Sequence, residues 1–461
     1  MSVLEAPEAG AARGRFGLRT YGCQMNVHDS EKIANLLHHL GFLPARSEAE
    51  ADLLIVNTCS VREKAEHRLY TDLGLLRLWK AEVSGRMVGV GGCVAQQEGD
   101  ALLARFPHVD FVFGTHNLRL VPAMVEAAQR GVRRAATDER VSQDRFDLPE
   151  RHPLLDAATP GRAFVTVMEG CDMFCSFCIV PYTRGREISR AAAEIVREVE
   201  GLAERGVREV TLLGQTVNAY GRHDLRRGRL EAAGTLPFAE LLECLAAVPG
   251  IERIRYTSPH PAFFGDDLVE AHGRVGALCP HVHLPVQSGS DEVLARMRRR
   301  YTAAEYLALV ERLRAARPDL ALTTDLIVGF PGETDADFRA TLDLVAAAGF
   351  VDAYSFKYSP RPGTSAVSLG APVPAELAQE RFEALQVLLR AQTLAAHRAR
   401  VGRRTSVLVE GLSRRGQPSG RDPWHRVVNL LPGALPPPAP GSLVEAFVVE
   451  ATPHSLIGEI L

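Results

Sequence analysis

The stretch Ala163-Phe164-Val165-Thr166-Val167-Met168-Glu169-Gly170-Cys171-Asp172-Met173-Phe174-Cys175-Ser176-Phe177-Cys178 joins an apolar run to a loop holding three cysteines. Residues 163–168 read as a strand. Three residues separate Cys171 from Cys175, and two separate Cys175 from Cys178. Three thiolates in one loop can hold a soft metal centre, but a closed zinc site takes four ligands. No fourth cysteine or well-placed histidine lies nearby, the next imidazole downstream being His223. Three thiols cannot pair off evenly as disulfides either. A 4Fe-4S cluster held by three cysteines, by contrast, keeps one iron open to a ligand that reacts.

From this strand onward a strand–helix unit repeats. The strands expected are 163–168, 209–213, 251–256, 281–284, 320–328 and 353–358, with amphipathic helices over 191–205, 238–247, 264–272, 303–316 and 335–348. That makes six of the eight strands of a full (β/α) barrel, whose active face is built by the loops after the strands. Those loops are rich in polar residues and glycine. After the cysteine loop come Gly214-Gln215-Thr216-Val217-Asn218, Thr257-Ser258-Pro259-His260-Pro261 and Pro285-Val286-Gln287-Ser288-Gly289-Ser290. Gly329-Phe330-Pro331-Gly332-Glu333-Thr334 and Ser359-Pro360-Arg361-Pro362-Gly363-Thr364 complete the set. Gln215, Asn218, Gln287 and Ser288 offer hydrogen bonds to a sugar or an amino acid group, and Gly329 lets backbone approach a ligand closely.

Upstream, residues 14–131 alternate short apolar runs with helical segments, the pattern of a doubly wound parallel sheet. Strands are expected at 15–20, 52–56, 86–90 and 110–113, with a helix over 29–40 capped by Asp29 or Ser30 and another from about Val61 to Lys80. Ligands in such sheets bind beyond the carboxyl ends of the strands. Cys23 follows the first strand, Cys59 the second and Cys93 the third, so strand order alone gathers a second set of three thiolates. Cys244 and Cys279 are expected to be packing residues. Periodicity fades over 132–156, which reads as a linker before a core at 157–397.

After residue 398 the strands expected at 405–410, 426–431, 442–451 and 456–461 suit a small β-barrel. Basic residues gather there: Arg398, Arg400, Arg403, Arg404, Arg414, Arg415, Arg421 and Arg426. Against a net charge of −3 this clustering favours RNA contact, with Trp424 as a stacking surface. Arg298, Arg299 and Arg300 form a second patch beside the fourth-strand loop, suited to phosphates. Hydrophobic residues at 46% and charged ones at 24% describe an ordinary soluble protein. No apolar run reaches the roughly 18 residues of a membrane span, and no export signal opens the chain. A cytoplasmic protein without membrane contact is therefore expected, where clustered thiols mean metal or catalysis.

The cysteine loop, with Phe177 before its last cysteine, resembles that of radical S-adenosylmethionine (SAM) enzymes. Thr20–Asn26 (TYGCQMN), Asn57–Ala65 (NTCSVREKA), Gly92–Gln96 (GCVAQ) and Glu169–Gly185 (EGCDMFCSFCIVPYTRG) extend the likeness to the methylthiotransferases. His283–Ser290 (HLPVQSGS), Gly329–Thr334 (GFPGET) and Arg361–Thr364 (RPGT) add to it. The resemblance implies two 4Fe-4S clusters, an auxiliary one on Cys23, Cys59 and Cys93 and a SAM-binding one on Cys171, Cys175 and Cys178. It implies Phe177 near the SAM adenine, and a C-terminal RNA-binding TRAM domain at 398–461. SAM serves there as both methyl donor and radical source. The substrate implied is N6-isopentenyladenosine at position 37 of tRNA, in the anticodon loop, methylthiolated at C2. An electron donor such as flavodoxin, a sulfur donor and a monomeric chain accompany that reading. Other branches act on threonylcarbamoyl-adenosine or on a ribosomal aspartate, and a non-catalytic Fe-S RNA sensor is the alternative from another class. Two departures stand out. Thr216 occupies the usual Asn position of GQNVNAYG, and Asp422 and His425 interrupt the usual TRAM pattern after Gly420-Arg421.

Overall fold

The computed structural model describes residues 12–60, 63–139, 143–155, 160–228, 230–431, 433 and 436–461. The chain forms two compact units: Met1–Ala158 with Ile179–Ile188, and Thr159–Cys178 with Ser189–Leu461.

The first unit is built on β1 (Gly14–Tyr21), β2 (Phe42–Pro44), β3 (Leu53–Thr58), β4 (Met87–Gly92), β5 (Phe111–Phe113) and β6 (Arg134–Ala136). These form one sheet in the order β2-β1-β3-β4-β5-β6, every neighbouring pair parallel. β3 and β4 are buried along their whole length, as continuous apolar strands covered on both faces should be. Ile33, Leu37, Phe111 and Phe113 pack one side of the sheet, and Leu54, Val56, Leu69 and Val88 the other. The short edge strands β2 and β6 are not expected from the sequence; unlike Phe111–Phe113, neither is an unbroken apolar run.

Helix α1 spans Gln24–His39, so it starts at Cys23 rather than at the expected cap, Asp29 or Ser30. Both of those side chains are instead buried inside the helix. The expected linker, in its described part, packs onto α1. The Asn35 amide donates to the carbonyls of Pro149 (2.9 Å) and Glu150 (3.1 Å) and accepts from the His152 N–H at 2.8 Å. Leu148 and Leu155 join the same core. The expected boundary at 156–157 and the helix start at Val61 lie outside the described residues.

In the second unit the six expected strands are present as Arg162–Thr166, Glu209–Leu213, Arg253–Tyr256, His281–His283, Ala321–Val328 and Asp352–Lys357. The first three pair in parallel in one sheet and the last three in another. A parallel bridge from Ile254 to Leu278 joins the two, giving the partial (β/α)6 barrel. Val165, Val210, Leu212, Ile254, Val282, Leu322 and Leu326 fill its core. Cys279 is buried as expected; Cys244 is exposed on helix Phe238–Ala246, and so is not a packing residue.

Residues 404–460 form a closed five-stranded barrel that includes a strand not expected from the sequence, Pro418–Arg421. It docks at the amino ends of the large barrel's strands. Arg162 pairs with Glu410 at 2.7 Å, and Arg253 donates to the carbonyls of Ser406 and Arg421 at 2.8 and 3.0 Å. The cysteine loop lies at the opposite, carboxyl end of the first strand.

Candidate iron–sulfur centres and ligand face

β1, β3 and β4 are neighbours in one parallel sheet, so their carboxyl ends share an edge. Cys23, Cys59 and Cys93 each follow one of these strands within two residues. The Cys59 thiol bonds with both Cys23 and Cys93. That contact, opposed by burial and assisted by the Arg184 guanidinium, lowers Cys23 to about 6 and Cys93 to about 7. Cys23 also accepts from the first backbone N–H groups of α1, whose N-terminus favours an anion. Cys59 is raised in turn by its two partners and by burial. Two readily formed thiolates beside a third cysteine suit a metal cluster, whose ligands must lose their protons.

The chain closes tightly around this edge. A side chain on Gly92, at φ +97°, would place Cβ 2.4 Å from the Thr58 carbonyl, and one on Gly22 would sit 2.4 Å from Cys59 Cβ. Asn57 donates to the Asn26 carbonyl (2.8 Å) and to Ser30 Oγ (3.0 Å), tying β3 to α1. Arg184 and Asp29 form a buried ion pair at 2.5 Å. Among the described residues no three His, Cys, Asp or Glu side chains surround a single metal-ion position. A 4Fe-4S cluster makes no such demand, because each cysteine binds a separate iron.

In the second unit Cys171 and Cys175 are buried and Cys178 is half-buried, none of them in a disulfide. Neighbouring loops hold them. Gly170 N–H donates to Gln215 Oε1. Thr216 Oγ1 lies 3.0 Å from Cys171 Sγ, and Arg299 Nη1 donates to Cys175 Sγ at 3.6 Å. Ser176 N–H donates to the Met297 carbonyl (3.1 Å), and its carbonyl accepts from Ala366 (2.8 Å). Phe177 packs on Val293, Met297, Phe330 and Ala366.

The other residues expected to meet SAM divide by what already occupies them. Asn218 brackets His260, accepting from its N–H at 2.8 Å and donating to its carbonyl at 3.0 Å. Ser288 Oγ bonds Thr341 Oγ1 (3.2 Å) and Ser290 N–H (3.2 Å). Gly329, at φ +72°, donates to the Glu333 carboxylate at 3.1 Å. Gln287 is buried in a left-handed conformation, φ 75°. Among the described residues Gln215 Nε2, His260 Nε2 and Ser176 Oγ, all buried near these loops, find no partner. Buried polar groups are nearly always satisfied, so these fit a polar ligand on this face. Nothing in the sequence singles out His260, a lone histidine in a proline-flanked turn. Burial, then the charges of Arg299 and Arg300, pushes it down to about 2. Its Nδ1 accepts from Ala262 N–H at 3.2 Å, so the neutral ring carries its proton on Nε2.

Of the residues expected at RNA, Arg298, Arg300, Arg403, Arg404, Arg414 and Arg415 are exposed. Arg299 is not: its guanidinium is buried against Cys175, the Pro285 carbonyl (2.8 Å) and the Tyr301 hydroxyl (2.9 Å), walling the cysteine loop rather than meeting phosphate. Trp424 is no open stacking surface. Its N–H donates to the Asp319 carbonyl at 2.7 Å, and Arg400 covers its ring at 3.9 Å. Arg421 is paired with Glu410 at 3.3 Å, and the Arg426 side chain is largely covered beside Asp422. Asp422 is fully buried, its carbonyl accepting from Arg255 at 2.8 Å and its carboxylate from Arg426 N–H at 2.8 Å. The Asp422 carboxylate thus closes a turn within the small barrel, while its backbone carbonyl takes part in docking.

Residues 165–345 match the Radical SAM superfamily, residues 15–114 the uncharacterized protein family UPF0004, and residues 398–461 the TRAM domain. Among solved structures the chain resembles the radical S-adenosylmethionine methyltransferase TsrM from Kitasatospora setae, at TM-score 0.52 and 17% identity over 75% of each chain. It also resembles the cobalamin-dependent S-adenosylmethionine radical enzyme OxsB, at TM-score 0.51 and 11% identity over 81% of this chain and 56% of that one. Both are likenesses of fold. The tRNA-2-methylthio-N(6)-dimethylallyladenosine synthase of Geobacter metallireducens is 50% identical over 444 residues, 96% of this chain and 97% of that one. The protein of that name from Geotalea uraniireducens is 48% identical over 96% of this chain and 98% of its own. With three-domain matches and this identity along nearly its whole length, the chain belongs to the family of radical SAM tRNA-2-methylthio-N(6)-dimethylallyladenosine synthases.

Proposed function

We propose that this protein methylthiolates C2 of N6-isopentenyladenosine at position 37 of tRNA, giving 2-methylthio-N6-isopentenyladenosine. The observation that carries the reading is the presence of two separate three-cysteine sets, each one ligand short of closing a four-iron cluster. The names of the relatives favour this branch over those acting on threonylcarbamoyl-adenosine or a ribosomal aspartate, and over a non-catalytic sensor.

An adenine C–H is unactivated, so the radical that removes its hydrogen comes from cofactor chemistry, supplied when a 4Fe-4S cluster on Cys171, Cys175 and Cys178 binds SAM. The protein positions and shields. Gln215 fixes Gly170 at the head of the cysteine loop, Asn218 fixes the turn carrying His260, and Phe177 anchors the loop's tail in an apolar pocket. Gln215 Nε2 and the neutral His260 Nε2–H, with Gln287 and the Gly329 backbone, are the groups we assign to SAM. Cys23, Cys59 and Cys93 would hold an auxiliary cluster supplying the chemistry of sulfur transfer, with Arg184 favouring the thiolates of Cys23 and Cys93.

Arg403, Arg404, Arg414 and Arg415 on the TRAM barrel, and Arg298 and Arg300 beside the fourth-strand loop, are the phosphate contacts. An anticodon loop presents its base at an unstacking cost of a few kcal/mol. A flavodoxin-type electron donor, a separate sulfur donor, a monomeric chain and a cytoplasmic setting belong to the same reading. The test separates the two cysteine sets. Cys93→Ala should still form 5′-deoxyadenosine from SAM under dithionite but yield no methylthiolated tRNA, and Cys175→Ala should do neither. Methylthiolated product from Cys93→Ala would overturn the division of labour.

A further inference from the structure

Cys171 and Cys175 each meet a hydrogen-bonding group from another loop, and the two groups differ in kind. Cys175 Sγ faces the Arg299 guanidinium at 3.6 Å, and Cys171 Sγ faces the Thr216 hydroxyl at 3.0 Å. Thr216 is 2% exposed, so its hydroxyl is shielded from bulk solvent. It precedes the short helix Val217–Ala219 without using its side chain as a cap, although capping is the common local use of a threonine there. The Cys171 sulfur is the partner seen for that hydroxyl. Once Cys171 is a thiolate ligand it has no proton to give, so the direction is fixed: Thr216 donates and the sulfur accepts.

We infer that Thr216 is a positioning residue that sets the reduction potential of the SAM-binding cluster. The inference rests on the reading of Cys171, Cys175 and Cys178 as that cluster's ligands. Reduction adds one negative charge to an already anionic centre. Donors aimed at its ligand sulfurs stabilise the reduced form more than the oxidised one, which raises the potential. Arg299 supplies this effect as a fixed charge held by three further interactions, with the Tyr301 hydroxyl, the Pro285 carbonyl and the Tyr301 ring. Thr216 supplies it as a single neutral bond on a different ligand, and no other bond depends on it. It is therefore the adjustable member of the pair. It is also the position at which this chain departs from the family's usual Asn, so the difference falls on a sulfur contact rather than on the surface.

The test uses the reconstituted full-length protein, with Thr216→Val to remove the hydroxyl at constant shape and Thr216→Ser to keep it. The readout is the midpoint potential of the cluster whose EPR signal changes on adding SAM. Thr216→Val should titrate at a more negative potential than wild type, and Thr216→Ser should stay close to wild type, with iron per chain equal in all three. SAM cleavage by Thr216→Val should fall with a reductant of moderate strength and recover with titanium(III) citrate, a recovery that a purely structural defect would not show. Equal potentials in wild type and Thr216→Val, or a shift that Thr216→Ser shares, overturn the inference. A wild-type protein with no SAM-sensitive cluster signal overturns the underlying reading as well.

Discussion

Replacing Arg184 by alanine should damage the auxiliary centre while sparing the SAM-binding one. The Arg184 and Asp29 side chains are only 4% and 3% exposed and meet at 2.5 Å, within the same unit as Cys23, Cys59 and Cys93. Removing one partner of a buried pair costs roughly 3–5 kcal/mol, because the other charge stays behind uncompensated. Here the cost is compounded. Arg184 favours the thiolates of Cys23 and Cys93, whereas Asp29 opposes that of Cys93. The variant therefore loses an attraction at Cys23 and Cys93 and uncovers a repulsion at Cys93. Of the two tryptophans, Trp79 lies in this unit and Trp424 in the other, so in a Trp424→Phe background urea unfolding followed by fluorescence reports the first unit alone. We expect Arg184→Ala to lose about 3 kcal/mol or more in that assay and to bind about half the iron after reconstitution, since one of two clusters is lost. Asp29→Asn added to Arg184→Ala should recover over about 1 kcal/mol by removing the stranded charge. A loss below about 1 kcal/mol, or no recovery in the double variant, refutes the electrostatic account.

His260 and His272 are held neutral at about 2 and about 3, chiefly by burial. Both lie below the unfolded value of about 6.5, so the stability they lend is full above that pH and lost as pH falls beneath it, by about 2 kcal/mol per histidine at pH 5. Urea midpoints for the second unit should drop between pH 7 and pH 5, and a flat profile would contradict their burial as neutral rings. Trp424→Ala removes the bond to Asp319 and the ring beneath Arg400, together worth about 2 kcal/mol. Limited proteolysis should then release the TRAM barrel at lower urea while SAM cleavage persists; unchanged release would show the docking lies elsewhere. Arg414→Ala with Arg415→Ala should weaken tRNA binding and reduce its salt slope by about one for each phosphate no longer neutralised. A binding curve unchanged in both respects would remove that hairpin from the RNA surface.

The sequence was legible where a pattern had a period or a spacing. Six barrel strands could be read because amphipathic helices separate one from the next, and the strand at Glu209–Leu213 lies where periodicity placed it. The two cysteine sets were legible for opposite reasons, one from spacing and one from strand order. What escaped depended on partners distant in sequence. Arg299 belongs to a run of three arginines that reads as surface charge, yet its side chain turns inward because Cys175, Pro285 and Tyr301 offer it acceptors there. Arg298 and Arg300 beside it, both at positive φ, stay exposed. Trp424 and Asp422 look like variations in an RNA-binding motif until Asp319, Arg255 and Arg400 come into contact with them. Asp29 looks like a helix cap because Asp favours that position, but its charge is needed inside the helix, opposite Arg184.

The two cysteine sets should differ in how each is lost. Cys171, Cys175 and Cys178 share one loop, so their spacing is written in adjacent residues and survives changes elsewhere in the barrel provided its braces hold. Cys23, Cys59 and Cys93 meet only because β1, β3 and β4 keep their parallel register, Thr20 opposite Asn57 and Asn57 opposite Gly91. A one-residue slip in a strand turns every side chain to the other face and moves the strand's end by about 3.3 Å, more than a cluster's ligand bonds can absorb. An auxiliary cluster on these three cysteines would thus report on the whole sheet. Substitutions in the buried strands that leave the fold recognisable, such as Val56→Ala or Val90→Ala, should lower auxiliary iron before they lower the SAM-binding cluster. The measurement is iron per chain alongside the SAM-sensitive EPR signal. Loss of both together would mean that the sheet does not govern the auxiliary site separately.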